Sequence, residues 1–300
     1  MNPRALFISL RPHQWTKNLL LFAPLALSKH LFELALLLRS LAAFGLFCAL
    51  SGVVYLVNDV ADVERDRLHP IKRLRPIASG ALAPRAALIS AVMLGVLSLG
   101  GSLVVGKPFA LCAVVYLALT LLYSFRLKEV VIVDAISVSL GFVVRAVAGA
   151  VAIGVVFSDW LLICTILLAL FLTFCKRRHE LTSLSETAAE HRRILSEYSP
   201  YLLDQMIAVV TASCLTAYAF YTTAPETVEK FKTNRLSWTL PFVLYGIFRY
   251  LYLVHQREQG GSPSDVLLTD RPLLVAVGLW ALTIVVIVYT SGGAPMPLLQ

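Results

Sequence analysis

Apolar runs of roughly twenty residues recur along this chain, and this is the length that crosses the hydrocarbon core of a bilayer. Hydrophobic residues make up 58% of the sequence and charged residues 15%, whereas a soluble domain carries about 25% charged residues. Lipid is therefore the solvent for most of the chain. We predict an all-α integral membrane protein with about nine transmembrane helices.

The basic residues indicate how these helices are oriented. Most of the 26 Lys and Arg residues fall in one alternating set of loops, which the positive-inside rule assigns to the cytosol. This predicts a multi-pass protein of the plasma (inner) membrane with a cytosolic N-terminus and an outside C-terminus. Residues 1–300 are interpreted as one polytopic domain, capped by cytosolic loops 64–83 and 177–199. The predicted helices are 18–37, 41–63, 84–105, 108–125, 130–154, 158–176, 200–222, 237–255 and 272–290.

The net charge of +8 reflects these loops, and no soluble fold is present to offer a basic surface to nucleic acid, so no nucleic-acid partner is predicted. The five cysteines form no CxxC pair and match no metal-site spacing, and we interpret them as reduced packing residues. Charged residues interrupt the N-terminus before the first long apolar run, which argues against a cleavable signal peptide. A homo-oligomer is compatible with the sequence.

The most informative motif lies at the predicted cytosolic end of the second helix. On a continuous helix, Asn58, Asp62 and Asp66 are spaced i, i+4, i+8, and Asp59 lies on the same side. Like charges at this spacing repel each other, and carboxylates clustered at the membrane are costly, so the cluster predicts a bound cation. Oxygen ligands of this kind suit Mg²⁺, which bridges to substrate phosphates.

The loop that follows the acidic motif adds Lys72, Arg73 and Arg75. Carboxylates for a metal, followed by cations for phosphate oxygens, are typical of a diphosphate site. The sequence therefore predicts a magnesium–diphosphate site, with Asn58, Asp59, Asp62 and Asp66 as metal ligands and the three aspartates as catalytic residues. The alternative is a solvated helix end without a ligand.

The NDxxDxxxD pattern at 58–66 resembles the first acidic motif of the UbiA prenyltransferase superfamily. Further segments resemble its decaprenyl-phosphate phosphoribosyltransferase branch: RPHQWTKN at 11–18, YLVNDVADVERDRLHPIKRLRPIASG at 55–80, VDAISVSLGFVVRAVAGA at 133–150, CKRRHEL at 175–181 and LLTDRPLL at 267–274. The resemblance covers nearly the whole chain. It implies a ring of helices around a central cavity with cytosolic access.

One departure from the superfamily pattern concerns the sixth helix. Where ordinary members carry a second aspartate-rich motif, this chain has Lys176, Arg177 and Glu180 within CKRRHEL. Cations in place of a second metal site suit a donor with additional phosphate, such as phosphoribosyl diphosphate. The alternative is a basic anchor of the kind found at many cytosolic helix ends.

The fifth helix carries two charged residues within its span, Asp134 and Arg145, three turns apart and on one face. An arginine at this depth faces a cavity or a partner, so both residues are predicted to line the central cavity. Arg145 either binds the acceptor phosphate or pairs with a structural carboxylate. Small residues on the same stripe, Gly141 and Gly149 among them, predict close approach of a neighbouring segment.

Four further residues are candidate phosphate contacts. Lys17 and Asn18 are placed at the mouth of the first helix. Tyr123 and Lys128 bracket the short cytosolic turn before the fifth helix, and a simple interfacial Tyr/Lys pair is the alternative there. Asp270 is predicted to be the N-cap of the last helix.

The resemblance implies Mg²⁺-dependent transfer of 5-phosphoribosyl from phosphoribosyl diphosphate to a polyprenyl phosphate, within the lipid bilayer and towards arabinan precursors of the cell wall. One alternative keeps the superfamily and changes the chemistry: a prenyl group moves from prenyl diphosphate to an aromatic or quinone-precursor acceptor. A second alternative is a transporter or scaffold that binds lipid phosphate without chemistry, although such a protein has no need of the acidic cluster.

Overall fold

The computed structural model describes residues 2–156, 158–184, 193–257, 259–292, 295, 296 and 298. Helices form the regular secondary structure of the described ranges, which contain no strand. The prediction of an all-α protein is therefore confirmed. In chain order the α-helices are α1 (Pro3–Ser9), α2 (Ala23–Leu27), α3 (Leu34–Ala61), α4 (Val63–Leu68), α5 (Pro84–Val105), α6 (Lys107–Phe125), α7 (Val133–Ile153), α8 (Asp159–Leu184), α9 (Pro200–Thr223), α10 (Pro225–Phe231), α11 (Leu240–Gln256), α12 (Pro263–Thr269) and α13 (Arg271–Thr290).

Short 3₁₀ helices connect several of these elements, at Pro12–Phe22, Lys72–Leu74, Leu127–Glu129, Arg193–Glu197 and Arg235–Thr239. Within the described part of the chain, seven helices are long and apolar enough to cross a membrane. These seven helices are α3, α5, α6, α7, α8, α9 and α13. The protein is thus a multi-pass membrane protein, and the total of about nine crossings stays a prediction.

The long helices pack in a ring. Each of α3, α5, α6, α7, α8 and α9 contacts the next, and α9, α11 and α13 continue the series. The segment made of Pro12–Phe22 and α2 packs against α3 and α7 and contacts α13, which closes the ring. Large apolar side chains such as Leu34, Val96 and Val104 remain exposed on the outer surface, as expected where lipid is the solvent.

The first predicted helix is the main boundary error. The sequence predicted one helix over 18–37, whereas the structure has the 3₁₀ helix Pro12–Phe22, α2, and then a break before α3 begins at Leu34. Lys29 in this break adopts a positive φ of 66°, which L-residues rarely do inside a helix. The apolar residues from Leu34 onward therefore belong to α3 and not to the segment before it.

The last helix begins as predicted. The Asp270 carboxylate accepts a hydrogen bond from the Leu273 backbone N–H at 2.9 Å, which confirms the N-cap. Arg249 of α11 donates to both oxygens of Asp270, at 3.1 and 2.7 Å. The hydrogen bond from Arg249 holds the pKa of Asp270 below its usual value. Arg249 thus joins α11 to the start of α13 through a bidentate ion pair with Asp270.

Candidate active site

Two carboxylates of the acidic motif converge on one guanidinium. Asp59, near the end of α3, and Asp66, in α4, are each only 3% exposed. Arg75 reaches back from the loop and places Nη1 3.2 Å from an oxygen of Asp59 and 2.6 Å from an oxygen of Asp66. The two carboxylates therefore face a common point, and a cationic group occupies it.

Arg11 approaches the same point from the N-terminal segment. Its Nη2 lies 2.5 Å from the Asp59 carboxylate, and its guanidinium lies 4.9 Å from the centre of the Tyr55 ring. Arg11 itself has a positive φ of 52° at the start of the 3₁₀ helix. A left-handed backbone costs a non-glycine residue roughly 1–2 kcal/mol, so this turn is held by its surroundings, with the Arg11–Asp59 ion pair among them.

The acidic motif is not one continuous helix. α3 ends at Ala61, and Asp62 has φ −96° and ψ 9° between α3 and α4. Asp62 and Asn58 are half-buried, while Lys72 is half-buried and Arg73 exposed in the loop. Among the residues that the structure describes, no group of three or more His, Cys, Asp or Glu side chains is arranged to hold a metal ion. The structure thus brings together Asp59, Asp66 and Arg75, but not the complete predicted set.

A second charged network joins α7 to α8. Arg177, only 2% exposed, donates from Nε to Asp134 at 2.8 Å, and Asp134 is completely buried. The Tyr198 hydroxyl donates to the other Asp134 oxygen at 3.0 Å. Burial raises the pKa of Tyr198 to about 12, so this hydroxyl remains a donor at physiological pH. Asp134 therefore pairs with Arg177 and does not share a site with Arg145.

The same arginine gathers the remaining candidates at this end of α8. Arg177 donates from Nη1 to Glu180 at 2.7 Å and from Nη2 to the Tyr123 hydroxyl at 3.2 Å. The Lys176 ammonium lies 3.7 Å from Glu180 on the outer side of the network. Lys128 is half-buried in the turn before α7. The predicted basic cluster is thus a network in which Arg177 is committed to carboxylates, and Lys176 is more exposed.

We expect substitutions of Asp134 and Arg177 to have strongly non-additive effects on the free energy of unfolding. Removing one partner leaves a buried uncompensated charge, which costs about 3–5 kcal/mol, whereas an apolar replacement of both partners is often near neutral. Asp134→Leu and Arg177→Met should each lower the melting temperature in detergent, and the double variant should recover much of the loss. Additive losses in this double-mutant cycle would contradict the pairing.

A third polar cluster lies deeper in the ring, around Arg145. Its Nε donates to the Asn18 amide oxygen at 2.7 Å, and its Nη2 donates to the Tyr116 hydroxyl at 2.8 Å. Tyr116 also shares a hydrogen bond of 2.9 Å with Ser51 of α3. Asn18 is 1% exposed and therefore lies inside the ring, not at the mouth of the first helix as predicted. This cluster joins the N-terminal segment to α3, α6 and α7.

Lys17 directly precedes Asn18, which belongs to the Arg145 cluster. Its ammonium group is close enough to Lys176, Arg145 and Arg11 to be repelled by all three, and Asp265 of α12 attracts it. Within the described ranges, no carboxylate lies at ion-pair distance from Lys17. The interior thus holds an acidic site beside a group of cations, an arrangement suited to a metal-bound phosphate ligand.

A surface groove of about 570 Å³ lies away from these clusters, between α9 and α11. Its lining is mostly apolar, with Asp204 and His255 at one end. Asp204 accepts hydrogen bonds from Arg178 at 2.5 Å and from His255 at 3.2 Å. None of the predicted site residues lines this groove.

Residues 19–266 match the family model described as the UbiA prenyltransferase family. The chain belongs to this family. The matched residues include the acidic motif at 58–66, Arg145 of α7, and Lys176, Arg177 and Glu180 of α8. The chain is therefore a transferase of the UbiA family, in agreement with the resemblance found in its sequence.

Relatives and solved structures agree with this membership. A decaprenyl-phosphate phosphoribosyltransferase of Corynebacterium glutamicum is 37% identical over 289 residues, which cover 94% of this chain and 86% of the relative. One of Mycobacterium tuberculosis is 35% identical, with 92% of this chain and 91% of the relative covered. A UbiA homologue from Archaeoglobus fulgidus, solved bound to GPP and Mg²⁺, superposes with a TM-score of 0.70 at 18% identity over 95% of this chain and 100% of that chain.

Several residues of these polar clusters were not singled out by sequence reasoning. Tyr116 and Ser51 are polar residues within apolar spans, and their position at the depth of Arg145 is a signal that could have identified them. Tyr198 and Asp265 follow loops. Nothing in their local sequence indicates that Tyr198 bonds to Asp134, or that Asp265 attracts Lys17 from beyond ion-pair distance. Arg11 was noted only as part of the N-terminal segment, because its ion pair with Asp59 spans 48 residues.

Proposed function

We propose that this chain transfers 5-phosphoribosyl from phosphoribosyl diphosphate to a polyprenyl phosphate of the decaprenyl type, with release of diphosphate. The observation that carries this proposal is the identity of 35–37%, over more than nine-tenths of the chain, to relatives named decaprenyl-phosphate phosphoribosyltransferase. The acidic pair beside a group of cations supports it independently, because both substrates bear phosphate groups.

Two of the predicted ligands, Asp59 and Asp66, fit a divalent cation. Arg75 stands between them, and this convergence on a positively charged group supports the assignment. Asp59 and Asp66 would hold Mg²⁺, and Asn58 and Asp62 on the adjoining turn are the nearest further ligands in the sequence. When bound, the ion neutralises charge on the diphosphate leaving group.

The chain's own side chains position the two substrates. Arg11 and Arg75, displaced from the aspartates or shared with them, can donate hydrogen bonds to diphosphate oxygens in a geometry that suits phosphate. An oxygen of the acceptor phosphate attacks C1 of the ribose while the C1–diphosphate bond breaks. The acceptor phosphate is already anionic, so no strong general base is required, and the protein acts by placement and electrostatic stabilisation.

The orientation of the protein follows the positive-inside rule. We place the N-terminus and the acidic motif on the cytosolic side of the plasma membrane. Residues 64–83 and 177–199 would then form a cap over the site, although residues 185–192 lie outside the described residues. Phosphoribosyl diphosphate, a soluble anion, would enter from the cytosol, and the acceptor tail would remain in lipid or in a groove between helices.

The second candidate function is prenyl transfer from a prenyl diphosphate. The observation in its favour is the fold shared with the Archaeoglobus homologue bound to GPP and Mg²⁺. The partly exposed Lys176 near the end of α8 supports the phosphoribosyl donor, because a cation stands there in place of a second acidic motif. In prenyl transfer the breaking bond belongs to the lipid, whereas in phosphoribosyl transfer it belongs to the sugar.

An activity assay separates these functions. Purified protein, Mg²⁺, polyprenyl phosphate and radiolabelled phosphoribosyl diphosphate should yield a labelled lipid and one diphosphate per product. Prenyl diphosphate with an aromatic acceptor should give no product. Turnover of the prenyl diphosphate without any labelled lipid would reverse the assignment, and binding of polyprenyl phosphate without diphosphate release from either donor would favour a carrier.

A further inference from the structure

Arg145 is a buried cation with no carboxylate partner in the part of the chain that the structure describes. It is 7% exposed, and its three hydrogen-bond partners are the neutral oxygens of Asn18, Gly141 and Tyr116. None of the carboxylates that the structure describes lies within ion-pair distance of it. A guanidinium has five N–H donors, so these three hydrogen bonds leave two donors available for a further acceptor.

This situation differs from that of the other arginines near the site. Arg177 is paired with Asp134 and Glu180, Arg75 with Asp59 and Asp66, and Arg249 with Asp270. The Arg145 guanidinium instead lies 4.7 Å from the Tyr116 ring centre and 5.2 Å from that of Phe142. Aromatic faces stabilise a desolvated cation, but this offsets only part of the cost of burying a charge within a membrane.

Lys17 adds a second uncompensated charge to the same place. It precedes Asn18, which accepts a hydrogen bond from Arg145, and its ammonium is repelled by Arg145, Arg11 and Lys176. Asp265 is the carboxylate that attracts it. Cations that are held together against their mutual repulsion are stabilised when an anion binds between them.

We propose that Lys17 and Arg145 form a subsite for a phosphate monoester, separate from the acidic cluster. Asn18, Tyr116 and Phe142 orient the guanidinium. The proposal rests on the proposed function, in which a donor with a 5-phosphate and an acceptor with a lipid phosphate both present this chemistry. The subsite thus binds a phosphate that is not the leaving diphosphate.

The position of the subsite agrees with this division. Ser51, which bonds to Tyr116 beside Arg145, precedes Asp59 by eight residues of α3, or roughly 12 Å along the helix axis. Tyr55 lies midway between them, beneath the Arg11 guanidinium. The diphosphate site and the monoester site are therefore stacked along α3, and a reacting sugar can lie between the two phosphate groups.

The test measures binding without turnover. Affinities for ribose 5-phosphate, phosphoribosyl diphosphate and decaprenyl phosphate are determined one at a time, by calorimetry in detergent. Because a hydrogen bond to a charged group contributes about 1.5–3 kcal/mol, Arg145→Gln and Lys17→Met should each weaken one ligand class by about 10- to 100-fold. Weaker binding of the two ribose ligands identifies the donor's 5-phosphate, and weaker binding of decaprenyl phosphate alone identifies the acceptor.

Lys17→Met also separates a ligand site from a structural role. Lys17 makes no hydrogen bond to a described side chain, so its loss breaks no network and removes repulsion. The ligand-free variant should melt at or above the wild-type temperature while it binds phosphate more weakly. Lys230→Met, at a half-buried lysine remote from the site, is the matched control and should leave all three affinities unchanged.

Two results would overturn the subsite. Wild-type affinities for all three ligands in both Lys17→Met and Arg145→Gln would leave Arg145 with a purely structural role. If Arg145→Gln does not fold, wild-type affinities in Lys17→Met alone decide against the subsite. If the wild-type protein binds none of the phosphate ligands, both this proposal and the proposed function are overturned. That outcome differs from a failure of the subsite alone, in which the wild-type protein binds the ligands and both variants bind them equally well.

Discussion

Replacing Asp66 by asparagine is expected to reduce phosphoribosyl transfer by at least about 1,000-fold while the protein remains folded. The substitution keeps the size of the side chain but removes the charge that faces Arg75 at 2.6 Å. A bound metal ion contributes several kcal/mol of charge stabilisation to a transfer of this kind, so loss of a ligand removes most of the rate. The measurement is turnover of labelled phosphoribosyl diphosphate at saturating Mg²⁺, alongside the melting temperature.

Glu64→Gln is the matched control for this experiment. Glu64 lies two residues earlier in α4, but its side chain is 79% exposed and pairs with Arg67 on the surface. Exposed pairs of this kind contribute little, so activity should stay within about twofold of wild type. Near-normal turnover in Asp66→Asn, or an equal loss in Glu64→Gln, would disprove the assignment of Asp66 to the metal.

Replacing Gly149 by alanine is expected to destabilise the protein by about 2–3 kcal/mol. A Cβ at this position would lie 2.2 Å from the backbone oxygen of Leu21 and 2.8 Å from its carbonyl carbon. Backbone atoms cannot move aside as a side chain does, and overpacking of this kind typically costs 1–3 kcal/mol. The N-terminal segment would have to shift away from α7. This shift would also displace Lys17 and Asn18, which lie about one turn before Leu21.

Gly45→Ala provides the comparison. Gly45 lies within α3 on the exposed surface, and a Cβ there would meet nothing within 4 Å. Alanine favours a helix over glycine by up to about 1 kcal/mol, so this variant should melt at or above the wild-type temperature. Equal melting temperatures for Gly149→Ala and wild type would show that the close contact between α7 and the N-terminal segment is absent.

Much of the fold could be predicted because lipid imposes a simple pattern on sequence. The helix predicted over 84–105 coincides with α5, and the helix predicted over 200–222 differs from α9 by one residue. The error at the first helix has a different origin. Residues 28–33, with the sequence SKHLFE, interrupt the apolar run only briefly. The prediction therefore joined two apolar segments that the backbone separates at Lys29.

The candidate site was predicted as a set of residues but not as a set of pairs. Helical spacing brought Asp59 and Asp66 to one place, and the structure agrees, although the chain breaks at Asp62 between them. Spacing also put Asp134 and Arg145 on one face, but their partners come from other elements: Arg177 from α8 for Asp134, and Asn18 from the N-terminal segment for Arg145. Pairing across such sequence separations depends on how helices pack, which a single sequence does not encode locally.

The 3₁₀ helices lengthen two segments of the ring, Pro12–Phe22 with α2 and Arg235–Thr239 with α11. A 3₁₀ helix rises about 2.0 Å per residue, against 1.5 Å in an α-helix. Pro12–Phe22, with 11 residues, followed by the five residues of α2, therefore extends for about 30 Å, close to the thickness of the hydrocarbon core. Arg235–Thr239 lengthens the 17 residues of α11 in the same way. A segment that is too short when its residues are counted is thus long enough when its backbone is stretched, and the stretched part of the first segment is the part that carries Lys17 and Asn18.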